Sequence, residues 1–254
     1  MMMTSTTPLY RLQNVSKHLE KAGASFTLQI PELVVQRGEF VAFVGESGCG
    51  KTTLLDLLGL VSQPTSATRF DVDFGDGNPE SITSATESRL SEVRRRHVGY
   101  VLQSGGLLPF LTVGENILLT RRANGLSKPE EAEAIARQLG IVEQWRKKPA
   151  FLSGGQRQRV AIARALAHAP ALVLADEPTG AVDRLTASEI RGLLGEAARA
   201  RRATVLIVTH DETLVAGFTD RVFTFRVAKP TPQSVESTLF ETSWSERKQT
   251  GGTA

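Results

Sequence analysis

The stretch from Phe40 to Thr52 constrains the fold more than any other part of the chain. Five apolar residues, Phe40-Val41-Ala42-Phe43-Val44, run directly into Gly45-Glu46-Ser47-Gly48-Cys49-Gly50-Lys51-Thr52. The second segment satisfies G-x-x-x-x-G-K-[ST] in full. An unbroken apolar run of this length reads as a strand covered on both faces. The residues from Lys51 to about Leu60 read as a helix. The glycines let the backbone curl so that several N–H groups point inward, and the helix N-terminus adds positive partial charge. Together these groups suit phosphate oxygens. Lys51 would reach the β- and γ-phosphates of a nucleotide, and Thr52 would offer its hydroxyl to Mg²⁺. A glycine-rich turn that binds nothing is the competing reading. The strand before the loop and the helix after it weigh against that. Cys49 occupies an unrestricted position of the loop. It reads either as a small residue that fits or as a reactive thiol, since helix N-termini lower thiol pKa values.

A second apolar strand ends in two acids, Ala171-Leu172-Val173-Leu174-Ala175-Asp176-Glu177. At the C-terminal edge of a parallel sheet such acids lie beside the phosphate loop. Asp176 would bind Mg²⁺ directly or through water, and Glu177 would polarise the attacking water as general base. Gln103 and His210 also follow strand-like runs, Val98–Leu102 and Thr204–Thr209. Each alone would pass for a satisfied structural residue. As strand-end groups they reach the edge that carries the loop and the acids, where a γ-phosphate and its water need neutral donors.

The remaining chain organises around these motifs. Leu9–Val15 and Ser25–Ile30 read as early strands, and Phe70–Phe74 alternates like a short one before the Asp76-Gly77-Asn78-Pro79 turn signal. Thr86 to about His97 reads as a helix, and the basic run Arg94–His97 as its solvated face. The middle is helical. Thr112 with Glu115 has capping-box spacing, and Ser153 can cap a helix that reaches about Ala167. Helices over about Leu185–Arg201 and Glu212–Gly217 then alternate with strands over Thr204–Val208 and Arg221–Val227. Apolar strands alternating with helices indicate a parallel sheet covered on both sides. The last residues contain Pro230 and Pro232, with a further strand pattern over Ser234–Phe240.

Composition excludes several classes. With 41% hydrophobic residues and a net charge of +3 over 254 residues, disorder is disfavoured. The longest apolar runs fall far short of the roughly 20 residues a membrane-spanning helix needs. The N-terminus shows no basic region followed by an apolar stretch, so a secretory signal is not expected, and the cytosol is the expected compartment. The single cysteine rules out an intramolecular disulfide. No nucleic-acid partner is expected from so small a net charge.

Leu152-Ser153-Gly154-Gly155-Gln156, with Arg157–Leu166 after it, closely resembles the signature motif of the ABC ATPase family. Chemically it is another glycine-containing helix start with a hydroxyl and N–H groups free for an anion. The resemblance covers about residues 9–227. It implies an α/β fold: a P-loop NTPase (RecA-like) core with a mostly parallel sheet, an N-terminal antiparallel β-subdomain and an inserted α-helical subdomain. It places the ATPase domain at 1–227, with the helical insertion at about 104–159, and a variable, partly disordered tail at 228–254. It implies that Gly45, Glu46, Ser47, Gly48, Cys49, Gly50, Lys51, Thr52 and Thr53 bind nucleotide. Gln103 would be the Q-loop glutamine, Asp183 the D-loop aspartate and His210 the switch histidine. Glu177, His210 and Gln103 would serve catalysis, and Thr52, Gln103 and Asp176 would hold Mg²⁺. Ser153, Gly154, Gly155 and Gln156 would face the nucleotide of a second subunit, so that two ATP molecules join a dimer.

The runs Val101–Gln103, Leu107–Pro109, Leu111–Asn116 and Leu174–Gly180 narrow the likeness to ATPases of lipoprotein-releasing and macrolide-efflux transporters. This implies an ATP-hydrolysing motor at the cytoplasmic face of the inner membrane, driving a separate permease with a periplasmic domain. The permease would act on envelope lipids, lipoproteins, peptides or drugs, or carry mechanical work to the envelope. The loop Ser104–Leu111 would pass the motion on. Its apolar residues read equally as subdomain core. Other readings are a repair or ribosome-associated ABC ATPase, which the absence of long coiled coils and of a second cassette disfavours, and an ATP-sensing regulator. The sequence also departs from the family. Val15-Ser16-Lys17 is followed by His18-Leu19 rather than an aromatic residue, which leaves His18 or Phe26 as candidates to stack the base. Ala228–Pro232 stands where a short Asp-Gly hairpin turn is usual.

Overall fold

The run Phe40–Val44 is apolar throughout because each of its faces meets a different core. A computed structural model describes residues 7–75, 79–180 and 182–244. In it Phe40, Ala42 and Val44 pack with residues of the helical region and of the later helices, whereas Val41 and Phe43 pack with Leu54, Leu57 and the early strands. All five are at most 3% exposed.

In chain order the elements are β1 (Tyr10–Lys21), β2 (Ala24–Val35), β3 (Phe40–Val44), α1 (Lys51–Leu58), β4 (Arg69–Val72), β5 (Glu80–Ser81), α2 (Glu87–His97) and β6 (Val98–Val101). There follow α3 (Val113–Ala123), α4 (Pro129–Gln138), α5 (Gly154–Leu166), β7 (Leu172–Asp176), α6 (Arg184–Ala200), β8 (Thr204–Thr209), β9 (Arg221–Thr231) and β10 (Ser234–Thr242). The strands form one sheet in the order β5-β4-β1-β2-β10-β9-β3-β8-β7-β6. From β9 to β6 neighbours are parallel, and β1, β2, β4 and β5 pair antiparallel. The α/β architecture read from the motifs is therefore present: a parallel core, an antiparallel N-terminal sheet and helices α3–α5 inserted between β6 and β7.

Local chemistry sets the element ends. Thr112 and Ser153 each close a capping box, with Glu115 and Gln156 respectively. Asp183 caps α6 through the N–H groups of Leu185 and Thr186. The helix expected over Glu212–Gly217 is only a 3-10 turn, Glu212–Leu214. Asp211 bonds Thr213 N–H locally, and Gly217 takes a left-handed φ of 73° that ends the segment. The turn expected over Asp76–Asn78 lies outside the described residues.

The C-terminal part departs from its sequence reading. Residue 227, where the domain boundary was expected, falls inside β9, which continues to Thr231. β10 pairs antiparallel with β9 and parallel with β2. Two prolines do not prevent this. Between the pairs Thr231–Ser234 and Ala228–Glu236 the register shifts, so Lys229 and Pro230 oppose one residue in a bulge that tolerates a missing donor. Pro232 lies in the turn, beyond the ladder.

Candidate nucleotide site

β3 delivers the phosphate loop at its C-terminal end. Gly48 and Gly50 take φ values of 82° and 105°, where a side chain would be strained. Close approach adds a second constraint. A Cβ at Gly45 would lie 2.6 Å from Cys49 Sγ, and one at Gly50 would lie 2.7 Å from Phe26 Cζ. The first turn of α1 has neither a side-chain cap nor an acidic residue, so its N–H groups stay available to an anion. Lys51 is buried. Its Nζ donates to the carbonyls of Gly45 (2.8 Å) and Glu46 (2.9 Å) and lies 3.6 Å from Glu177 Oε1. A buried ammonium held by weakly basic carbonyls is a charge ready to exchange partners when phosphate arrives.

The two acids come from β7, paired beside β8. Burial pushes the Asp176 carboxyl up, with Glu177 and Asp56 adding to the rise and Lys51 opposing it. A half-buried acid among other acids favours a nearby cation. Among the described residues no cluster of three His, Cys, Asp or Glu side chains could hold a metal by itself. A Mg²⁺ ion would instead draw on one or two protein oxygens and on nucleotide phosphates, its usual mode. Asp176 and the exposed Thr52 hydroxyl fit that set, since both line one cleft of about 380 Å³ with Gly50, Lys51, Thr53 and Gln103.

Glu177 has a left-handed backbone, φ 41°, a costly conformation for a residue with a side chain. Its N–H donates to Val208 O, and its Oε2 lies 2.5 Å from His210 Nδ1. His210 follows β8 and is well exposed. Gln103 follows β6 and lines the same clefts as Glu177. Its Nε2 would lie 3.1 Å from a Cβ at Gly180, so that glycine gives the glutamine room. Three strand ends thus bring Gln103, Asp176, Glu177 and His210 to the loop at the end of a fourth.

The signature residues do not join them. Ser153 and Gln156 bond each other in the capping box at the start of α5, with bonds of 3.2 and 3.0 Å. A Cβ at Gly155 would lie 2.7 Å from Thr186 Cγ2, and Thr186 is held by Asp183. Ser153, Gly154, Gly155, Gln156 and Asp183 therefore form a second place on the molecule, and none of them lines the loop clefts. Of the two candidates for the base, His18 turns away, with Nδ1 at 2.9 Å from Thr27 Oγ1. The strand alternation presents Leu19, paired with Phe26 across the hairpin, to the cleft.

Cys49 is 3% exposed, and burial pushes its thiol up despite the lowering influence of Lys51. The reactive-thiol reading is therefore disfavoured. Alkylation of Cys49 is expected to run at least about tenfold slower than that of free cysteine near pH 8, and slower again with ATP bound. Mass spectrometry with and without nucleotide checks this. Equal rates in the two states would remove Cys49 from the loop interior.

The sequence reading missed several supporting residues. Asp56 joins the acids from within α1. Asn116, fully buried, holds the loop after Gln103 by bonding Leu108 N–H (2.8 Å) and three carbonyls. Arg164 braces the carbonyls of Gly105 and Gly106. In that loop Leu107 packs on the core, while Phe110 is 67% exposed. Capping-box spacing exposed Thr112 and Glu115 in the sequence, but nothing there singled out Asn116.

Known proteins resemble this chain over most of its length. The profile of the ABC transporter family matches residues 28–180. The lipoprotein-releasing system ATP-binding protein LolD of Porphyromonas gingivalis is 39% identical over 80% of this chain and 91% of its own length. The aliphatic sulfonates import ATP-binding protein SsuB 1 of Burkholderia cenocepacia is 41% identical over 83% of this chain but 59% of its own length. The solved ATP-binding cassette MJ0796, a dimer in a post-hydrolysis state bound to ADP and Pi, is 32% identical with a TM-score of 0.73, covering 85% of this chain and 93% of that one. With the family profile spanning residues 28–180 and LolD 39% identical over 91% of its own length, the chain belongs to the ABC transporter family as an ATP-binding, ATP-hydrolysing subunit.

Proposed function

We propose that this subunit works as a pair, closing around two ATP–Mg²⁺ and opening after hydrolysis to drive a separate membrane permease. The observation that carries the reading is the division of the machinery. Loop residues, Gln103 and Glu177 line two neighbouring clefts, one of which also takes Asp176 and the other His210, while Ser153–Gln156 and Asp183 sit elsewhere. The Ser153 hydroxyl accepts from Gln156 N–H but keeps its own proton to donate, and α5 has no acid in its first turn, so this helix start suits phosphate oxygens that a second copy could bring to it. In this reading Lys51 and the loop N–H groups bind the phosphates, with Glu46, Ser47, Cys49 and Thr53 shaping the cradle. Thr52, Gln103 and Asp176 would hold Mg²⁺, which would supply charge to neutralise the phosphates. Glu177 takes the proton of the attacking water, and His210 orients Glu177 and the γ-phosphate.

Among the described residues no helix is long and apolar enough to cross a membrane. The motor would sit on the cytoplasmic face of the membrane through its permease. The names of LolD and of the bacitracin export protein BceA of Halalkalibacterium halodurans, 38% identical over 75% of this chain, favour an export-type or envelope-directed system. The fuller coverage of LolD than of SsuB 1 supports the same choice. The permease would then carry a periplasmic domain and act on lipoproteins, lipids, peptides or drugs. In this reading the ATPase domain takes in the β9–β10 hairpin beyond residue 227, and the helical insertion at about 104–159 is the part that meets the permease.

Ser153→Gly tests the shared site. Glycine is tolerated at a helix N-cap at a cost of a few tenths of a kcal/mol, so the fold should persist. Loss of a hydroxyl that contacts phosphate charge should lower hydrolysis about 10- to 100-fold. ATP binding by the separate monomer should not change. Steady-state phosphate release and nucleotide titration check the two halves, and undiminished hydrolysis would contradict the pairing.

A further inference from the structure

We propose that Ser237, on the C-terminal strand, is a positioning residue that sets the Cys49–Gly50 peptide for phosphate binding. The inference rests on the reading of residues 45–53 as the ATP cradle. Ser237 is fully buried, and its Oγ donates to Cys49 O at 2.6 Å across 188 residues of sequence. Among the described residues no backbone N–H donates to that carbonyl, because the first α1 bond of this kind runs from Leu54 to Gly50. The carbonyl therefore depends on a side chain from β10.

The consequence follows from peptide geometry. In a trans peptide the C=O and the next N–H point in opposite directions. Holding Cys49 O toward β10 turns Gly50 N–H the other way, toward the cleft that Gly50 lines with Lys51 and Thr52. Gly50 has φ 105° and no Cβ, so on its own this peptide plane could rotate at little cost. Ser237 removes that freedom before the nucleotide arrives, and preorganised donors bind more tightly. The strand that carries Ser237 is itself fixed on both sides, opposite Leu28 of β2 and Val227 of β9. Aromatic rings brace the loop beside it. Phe26 closes on Gly50, and Phe225 Cδ2 would lie 3.0 Å from a Cβ at Gly45. The hairpin that replaces the short Asp-Gly turn of the family is thus part of the nucleotide site, although it lies beyond the matched residues 28–180.

The test compares Ser237→Ala, Ser237→Thr and Lys51→Ala in the full chain, with Glu236→Ala, an exposed neighbour on β10, as control. ATP and ADP affinities are measured by titration, KM and kcat by phosphate release, and folding by thermal melting. Ser237→Ala should raise the Kd for both nucleotides and the KM for ATP about tenfold, the effect of one lost buried hydrogen bond. Its kcat at saturating ATP should stay within about twofold, because the chemistry is untouched. Ser237→Thr, which keeps the hydroxyl, should restore most of the affinity, and Glu236→Ala should change neither constant. If Ser237→Ala melts earlier but binds ATP as the parent does, the positioning role is overturned. Equal affinity loss in the alanine and threonine variants would overturn it too, since the hydroxyl would then not be the cause. Unchanged affinity in Lys51→Ala would overturn the cradle reading itself. Lost affinity in Lys51→Ala with none in Ser237→Ala would overturn the role of Ser237 alone.

Discussion

Glu177→Gln should lower ATP hydrolysis by about three orders of magnitude and leave ATP binding within about threefold of the parent. The substitution keeps the size of the side chain and one acceptor oxygen. It removes the ability to take a proton from water. The surroundings of Glu177 support the proposed role. Its backbone is held at φ 41° by hydrogen bonds on both sides, Glu177 N–H to Val208 O and Gly180 N–H to Glu177 O. Its two oxygens reach different partners, His210 Nδ1 at 2.5 Å and Lys51 Nζ at 3.6 Å. A carboxylate held by a different partner at each oxygen is fixed in its aim. With hydrolysis blocked, ATP should persist between two copies, so the variant should elute as a dimer with ATP–Mg²⁺ and as a monomer without. Phosphate release and size-exclusion chromatography read the two effects. Parent-like turnover would remove Glu177 from the role of base.

Lys51→Ala should weaken ATP binding about 100- to 1,000-fold, the combined effect of one or two lost charge-assisted hydrogen bonds at about 1.5–3 kcal/mol each. In the free subunit the same change also releases Gly45 O and Glu46 O, the two carbonyls that Lys51 ties together. The loop should therefore lose shape as well as charge. In the proposed cradle the lysine would meet the β-phosphate as well as the γ-phosphate, so ADP should suffer nearly as much as ATP. Titration with both nucleotides checks this, and thermal melting separates the effect from loss of fold. Unchanged affinity would overturn the assignment of the loop.

The motif residues were legible in the sequence because each depends on local geometry. A glycine loop between an apolar strand and a helix makes its cradle within eight residues, Gly45–Thr52. A strand that ends in acids carries them to the sheet edge whatever its neighbours are. Capping boxes at Thr112 and Ser153 likewise need only three residues of separation. Alternation and apolar runs placed most strands and helices, since side-chain period reports which faces are buried. The ends of elements were less legible. β1 and β2 extend well beyond the segments expected, because exposed hairpin arms are held by their ladder rather than by an apolar pattern.

What the sequence by itself determined is the set of groups on offer: a glycine loop running into a helix at Gly45–Thr52, a carboxylate pair, strand-end Gln103 and His210, and a second glycine-containing helix start at Ser153. What only the tertiary structure decided is which of these share a cleft and what holds them there. The pairing of β3 with β8, and of β8 with β7, sets Glu177 within reach of both Lys51 and His210 and leaves Ser153 outside. The approach of Phe26, Phe225 and Ser237 to the loop joins residues up to 188 positions apart. No local pattern marks such contacts, because a serine in a polar strand looks the same in sequence whether it faces water or a buried carbonyl. Long-range strand order supplies the difference, and it comes from the burial of both faces of the sheet at once.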